Sequence, residues 1–141
     1  MVSFFIPGKP RATQTGSVVR VRGRAFPIRR NTSWSSYCGL VAATHSPETP
    51  LEGPIDVSLL FWLPRPKGKK RDLPSVRPDV ENLAKGLLDQ FSGILWRDDA
   101  QIVDLRLAKR YADASHPVGL EVTVLLGMRV VHEELYPVHL N

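Results

Sequence analysis

The chain has one cysteine, Cys38, and so no means of forming an intrachain disulfide. A cysteine-stapled extracellular scaffold is thereby excluded. Cys38 sits among small apolar residues (YCGLVAAT) and reads as a buried core thiol. The four histidines, His45, His116, His132 and His139, are scattered without the spacing of a zinc site. No apolar run approaches the roughly 18 residues of a membrane-spanning helix. The opening MVSFFIPGKP lacks the charged start and long apolar stretch of a signal peptide. Together these absences predict a soluble, cytoplasmic chain. Negative charge is also in deficit: 14 Asp and Glu against 19 Lys and Arg leave a net charge of +5. A polyanionic partner is the first to consider.

What is present describes one folded unit. At 141 residues, 43% hydrophobic and 23% charged, the chain can bury a core as a single domain over 1–141. Twelve prolines and ten glycines imply many turns between short elements. The positive charge is uneven. The run RPKGKKRDLPSVR carries Arg65, Lys67, Lys69, Lys70, Arg71 and Arg77 against the single acid Asp72. A second stretch carries Arg20, Arg22, Arg24, Arg29 and Arg30. Either could be a solvated loop or a charged strand edge. Two such stretches, one of them directly before an acidic segment, favour contact with a phosphate backbone.

Hydrophobic periodicity orders the elements. Val2–Ile6 reads as a buried strand stopped by Pro7-Gly8, and Ser17–Ile28 as a hairpin or arm turning at Arg22-Gly23. From a cap at Asn31 or Thr32, the spacing of Trp34, Tyr37, Cys38, Val41 and Ala42 predicts a helix ending near Pro47. Ile55–Leu63 alternates with both faces partly apolar, as a central strand does. A second helix is predicted over Asp79–Phe91, with Leu83, Leu87, Leu88 and Phe91 as its stripe. In the next strand, Val103, Leu105 and Leu107 are expected to point inward, with Asp104 and Arg106 outward. After the turn-rich 112–119 segment, Leu120, Val122, Val124 and Leu126 repeat the alternation, and the two strands read as an antiparallel pair. Residues 127–141 read as a possible appended segment. The pattern fits an α+β fold, with helices packed against a mixed sheet.

The chemistry concentrates in RPDVENLAKGLLDQFSGILWRDDAQIVD, residues 77–104. Asp79 and Glu81 stand two apart at a helix start, and Lys85 follows Glu81 by one helical turn. Asp98 and Asp99 lie at a strand entrance after Trp96. A hard divalent ion takes carboxylate, water and phosphate oxygens, and acids from these two segments would supply it. Local explanations exist for each: Asp79 as a helix cap, Glu81 against the helix dipole, Glu81 with Lys85 as an ion pair, Asp98-Asp99 in a turn. Taken singly, each local explanation is the stronger. Trp96 reads as core, and Asn82 and Gln101 as capping or supporting groups.

The segment as a whole resembles the signature of the RusA family of Holliday junction resolvases. It carries Asp79, an acid two residues on, Asn82-Leu83, Lys85, Trp96 and then Asp98-Asp99-Ala100-Gln101-Ile102-Val103-Asp104. Weaker similarity extends over residues 1–126. The resemblance implies a homodimeric, Mg²⁺-dependent endonuclease, with Mn²⁺ as a substitute, that nicks opposed strands of four-way or other branched DNA. By position it makes Asp79, Glu81 and Asp99 the metal-binding acids and Lys85 the catalytic lysine. Glu81 stands where the family more often has Asp, a carboxylate one methylene longer. Two other readings remain: a nuclease selective for flaps or forks, and a non-catalytic module that binds branched DNA.

Overall fold

A computed structural model describes residues 1–12, 14–30, 33–68 and 70–127, and for most of residues 14–30 only the backbone. Lys69, the helix cap at Asn31 or Thr32, the side chain of Arg20 and the 128–141 tail lie outside the described residues. The elements in chain order are β1 (Val2–Pro7), β2 (Gln14–Val21), β3 (Arg24–Arg30), α1 (Ser33–His45), β4 (Ile55–Leu63), α2 (Val80–Phe91), β5 (Ile102–Tyr111) and β6 (Gly119–Leu126). The expected α+β fold is the one observed. A four-stranded mixed sheet runs β1-β6-β4-β5, and β2-β3 form a separate two-stranded arm.

The arm turns through Arg22 (φ 52°) and Gly23 (φ 76°). Two central residues with positive φ give the tight turn whose twist matches that of flanking antiparallel strands. In the main sheet, alternation directs Ile55, Val57, Leu59 and Phe61 of β4 and Leu120, Val122 and Val124 of β6 into the core, all at most 2% exposed. Helix α1 covers them with Trp34, Cys38 and Ala42, and α2 with Leu83, Leu87 and Phe91. Each fully buried side chain of this size contributes about 1.5–3 kcal/mol. The helices approach closely at Gly39, where a Cβ would sit 2.7 Å from Gln90 Cγ. The Cys38 thiol is fully buried, and burial pushes its pKa up to about 12, against the smaller opposing effect of a backbone hydrogen bond.

Two expectations fail. β5 and β6 are not an antiparallel pair: β4 lies between them, parallel to β5 and antiparallel to β6. The 112–118 loop passes the end of β4, where Ala112 N donates to Leu63 O at 2.7 Å. Crossing two inter-strand spacings takes about 10 Å, well within the reach of seven residues. The β4-α2-β5 segment is the helical crossover that parallel neighbours require.

The second failure concerns which residues face inward. Val103 is 61% exposed, Leu105 41% and Leu126 53%. β5 ends the sheet, and its pairing with β4 slips by one residue between Ile55/Ile102 and Asp56/Asp104. This irregularity and the edge position leave its first half outside the cover of α2. Leu126 is the last residue of β6, with Val124 the last buried position before it.

Candidate active site

Asp79 is the N-cap of α2, in extended geometry (φ −66°, ψ 141°), yet its side chain makes no capping bond. A cap carboxylate normally accepts from the first-turn amides; this one has both oxygens available for another partner. Glu81 lies in the first turn and Lys85 one turn further, both exposed. Among the described residues the two form no ion pair, although their spacing permits one.

The loop that delivers Asp79 is held from the sheet. Lys109, on β5, donates from Nζ to Val76 O at 2.6 Å and to Pro78 O at 2.8 Å. An ammonium bonded to two carbonyls is stronger than a neutral pair, and it fixes the residue immediately before Asp79.

Asp99 belongs to a different end of the molecule. It opens a 3₁₀ turn, Asp99–Gln101, leading into β5. Its Oδ1 accepts from Trp96 Nε1 at 2.8 Å, and Trp96 is fully buried. The neighbouring Asp98 is absorbed locally: its Oδ1 accepts from Ala100 N, while Gln101 Oε1 accepts from Asp98 N, both at 2.8 Å. Gln101 Nε2 in turn donates to Leu51 O at 2.8 Å and Gly53 O at 2.9 Å, just before β4 begins. Asp98 and Gln101 therefore brace the turn that presents Asp99.

The structure brings Asp79, Glu81 and Lys85 together and leaves Asp99 apart. Lys109, beside Pro78, pairs with Phe61 late in β4, whereas the Asp99 turn is tied to the residues before β4. Ile102 and Lys109 are seven residues apart on an extended strand, roughly 23 Å. The length of α2, about 18 Å, separates the same two ends. Among the described residues no three His, Cys, Asp or Glu side chains stand close enough to hold an ion. Within one chain the donor pair is Asp79 and Glu81. Two carboxylates with waters and a phosphate fit the chemistry of a small hard cation.

Positive charge surrounds the head of α2. In the loop after β4, Lys67, Lys70 and Arg77 are exposed and Arg71 is half-buried. Arg65 shapes that loop, with Nη1 donating to Arg71 O at 2.8 Å and its guanidinium 4.7 Å from the Tyr111 ring centroid. Arg22 and Arg24 are exposed at the tip of the arm. Lys9 and Arg11 line a separate cleft of about 390 Å³ with Trp34 and Tyr37.

The model of the family Endodeoxyribonuclease RusA matches residues 7–125. The chain belongs to the RusA endodeoxyribonuclease family. The RusA match spans the mixed sheet, both helices, the basic loop and all four candidate residues. A second comparison finds the uncharacterized protein YqaN of Bacillus subtilis (strain 168), 31% identical over 118 residues, covering 75% of this chain and 80% of the relative. No helix among the described residues of this RusA-family chain is long and apolar enough to cross a membrane.

Two supporting residues escaped the sequence. Lys109 gave no signal, because a lysine on a strand edge is ordinary. Trp96 was legible as core, but its indole bond to Asp99 depends on a turn that periodicity does not describe.

Proposed function

We propose that this chain is a Mg²⁺-dependent endodeoxyribonuclease of the cytoplasm that resolves Holliday junctions, acting as a homodimer in DNA recombination and repair. The observation that carries the reading is the head of α2. Two exposed carboxylates with no local partner and a lysine one turn on stand beside a basic loop, in a chain of an endodeoxyribonuclease family.

Asp79 and Glu81 would hold the ion, with Mn²⁺ able to replace Mg²⁺. A bound divalent ion lowers the pKa of a coordinated water and neutralises charge developing on a phosphate. Lys85 brings a fixed positive charge to the phosphate oxygens from the same helix face. Lys67, Lys70, Arg71 and Arg77, with Lys69, Arg65 and the arm residues Arg20, Arg22 and Arg24, contact the backbone of the DNA arms. Binding of this kind weakens steeply with salt as counterions are released. Acids this close to a polyanion repel it unless a cation lies between them, which disfavours a binding module without catalysis.

The test is a labelled four-way junction incubated with the protein in Mg²⁺ and in EDTA, beside fork, flap and duplex substrates. Paired symmetric nicks are expected in the junction only with the metal. Asp79→Asn is expected to keep junction binding and to lose cleavage. Cleavage by Asp79→Asn at the parental rate would remove Asp79 from the site.

A further inference from the structure

Three observations in the fold remain unexplained by a single chain. Asp99 is held by Trp96 in a fixed orientation, yet lies a strand length from Asp79 and Glu81. β5 ends the sheet, with no strand on its outer side among the described residues. That edge also exposes Val103 and Leu105, 61% and 41% accessible. Edge strands usually carry charge or are covered, because a bare apolar edge recruits another strand.

We infer that the site is shared between two copies of this chain, with β5 of each pairing antiparallel to β5 of the other about a two-fold axis at Leu105. The inference rests on the nuclease reading and extends it by naming where the third acid comes from. A two-fold interface uses the same patch on both copies, so the patch must complement itself. This one does. With Leu105 opposite its own copy, Val103 falls opposite the partner's Leu107, and Asp104 opposite the partner's Arg106. Apolar then meets apolar, and negative meets positive.

The same register sets the ends. Asp99 falls opposite the partner's Tyr111, two residues beyond the Lys109 that grips the loop before Asp79. Antiparallel pairing thus reverses the separation that a single chain imposes. It carries the partner's Asp99 to the end of the sheet where Asp79, Glu81 and Lys85 stand. Each dimer then has two complete sites, and each copy contributes to both.

Two measurements test this. The first reads the interface alone, without activity. Leu105→Cys should form a reducible covalent dimer on mild oxidation, since antiparallel Cα separations of about 4.5–5.5 Å suit a disulfide. Cys38 is buried and does not compete. Glu48→Cys, on the loop after α1, should stay monomeric on the same gel.

The second reads the sharing. Asp79→Asn and Asp99→Asn are each expected to be inactive alone. Mixed and allowed to exchange subunits, they should recover nicking to about a quarter of the parental rate, because half the dimers are mixed and each has one intact site. The product should be single nicks in place of paired cuts. A mixture that stays dead while the parent cuts, or Leu105→Cys that never crosslinks, overturns the shared site and leaves the nuclease reading standing. A parent that cuts no branched DNA under any metal condition overturns both.

Discussion

The ammonium of Lys109 lies 2.8 Å from the carbonyl oxygen of Pro78, one residue before the carboxylate most expected to bind a metal. A second bond, 2.6 Å to Val76 O, makes the contact a clamp between the outer strand and the loop that enters α2. Asp79 is thus placed by the sheet as well as by its own helix.

Removing the clamp should loosen that loop. Lys109→Met is expected to lower stability by about 2 kcal/mol, the scale of charge-assisted bonds lost from a partly buried site. Urea denaturation followed by circular dichroism measures it. Junction cleavage should fall in parallel, and Lys109→Arg should restore part of both. Parental stability in Lys109→Met would show the two bonds to be dispensable.

The indole of Trp96 should matter to catalysis beyond its packing. Trp96→Phe keeps an aromatic core residue but removes the donor to Asp99. Groups that orient a ligating side chain typically contribute about 10- to 100-fold in metal affinity or activity. The expected result is a rise of that order in the Mg²⁺ concentration needed for half-maximal cleavage, with a smaller loss of thermal stability. An unchanged Mg²⁺ titration would separate Trp96 from the site.

Cys38 should report on the core through both reactivity and pH. The folded thiol has its pKa raised from 9.0 to about 12 by burial. The sign follows: the neutral thiol is favoured in the fold, so its contribution is intact below about pH 9 and is lost progressively from pH 9 toward 12. The slope reaches about 1.4 kcal/mol per pH unit between those values. Cys38→Ala should flatten that part of a stability-against-pH curve. In the parent at neutral pH, a thiol reagent should label Cys38 only as fast as the protein opens.

At Gly119, opposite Pro7, a Cβ would sit 2.4 Å from the Ile6 carbonyl oxygen and 2.3 Å from Phe5 Cζ. The carbonyl is backbone and has little room to withdraw. Gly119→Ala is expected to cost about 1–3 kcal/mol, as overpacked sites do, and thermal unfolding would show it. Parental stability would mean that the β1–β6 pair separates at that point without penalty.

The sequence was informative about elements and less so about neighbours. Period and punctuation located both helices, the central strand and the arm, because Trp34, Cys38 and Ala42, or Leu83, Leu87 and Phe91, declare a helical face directly. Strand pairing is a long-range choice. Two alternating segments joined by a short turn-rich loop, residues 102–111 and 119–126, look like neighbours until a strand from much earlier inserts between them. Val103 and Leu105 were misassigned for a related reason, since alternation tells which residues share a face but not whether anything covers it. Asp79, Glu81 and Lys85 were legible as a group because they share one helix start. The position of Asp99 depends on the direction of the crossover, which no local pattern encodes.

Val2 is hydrogen-bonded in register with Val124, so β1 has only β6 for a neighbour in the sheet. During synthesis the first strand to leave the ribosome must therefore wait for nearly the whole domain before its ladder can form. Until then its Phe4 and Ile6 are open to solvent. A nascent chain stalled before residue 119 would carry a sticky, unmatched amino-terminal segment, and it is in this interval that a chaperone has most to do.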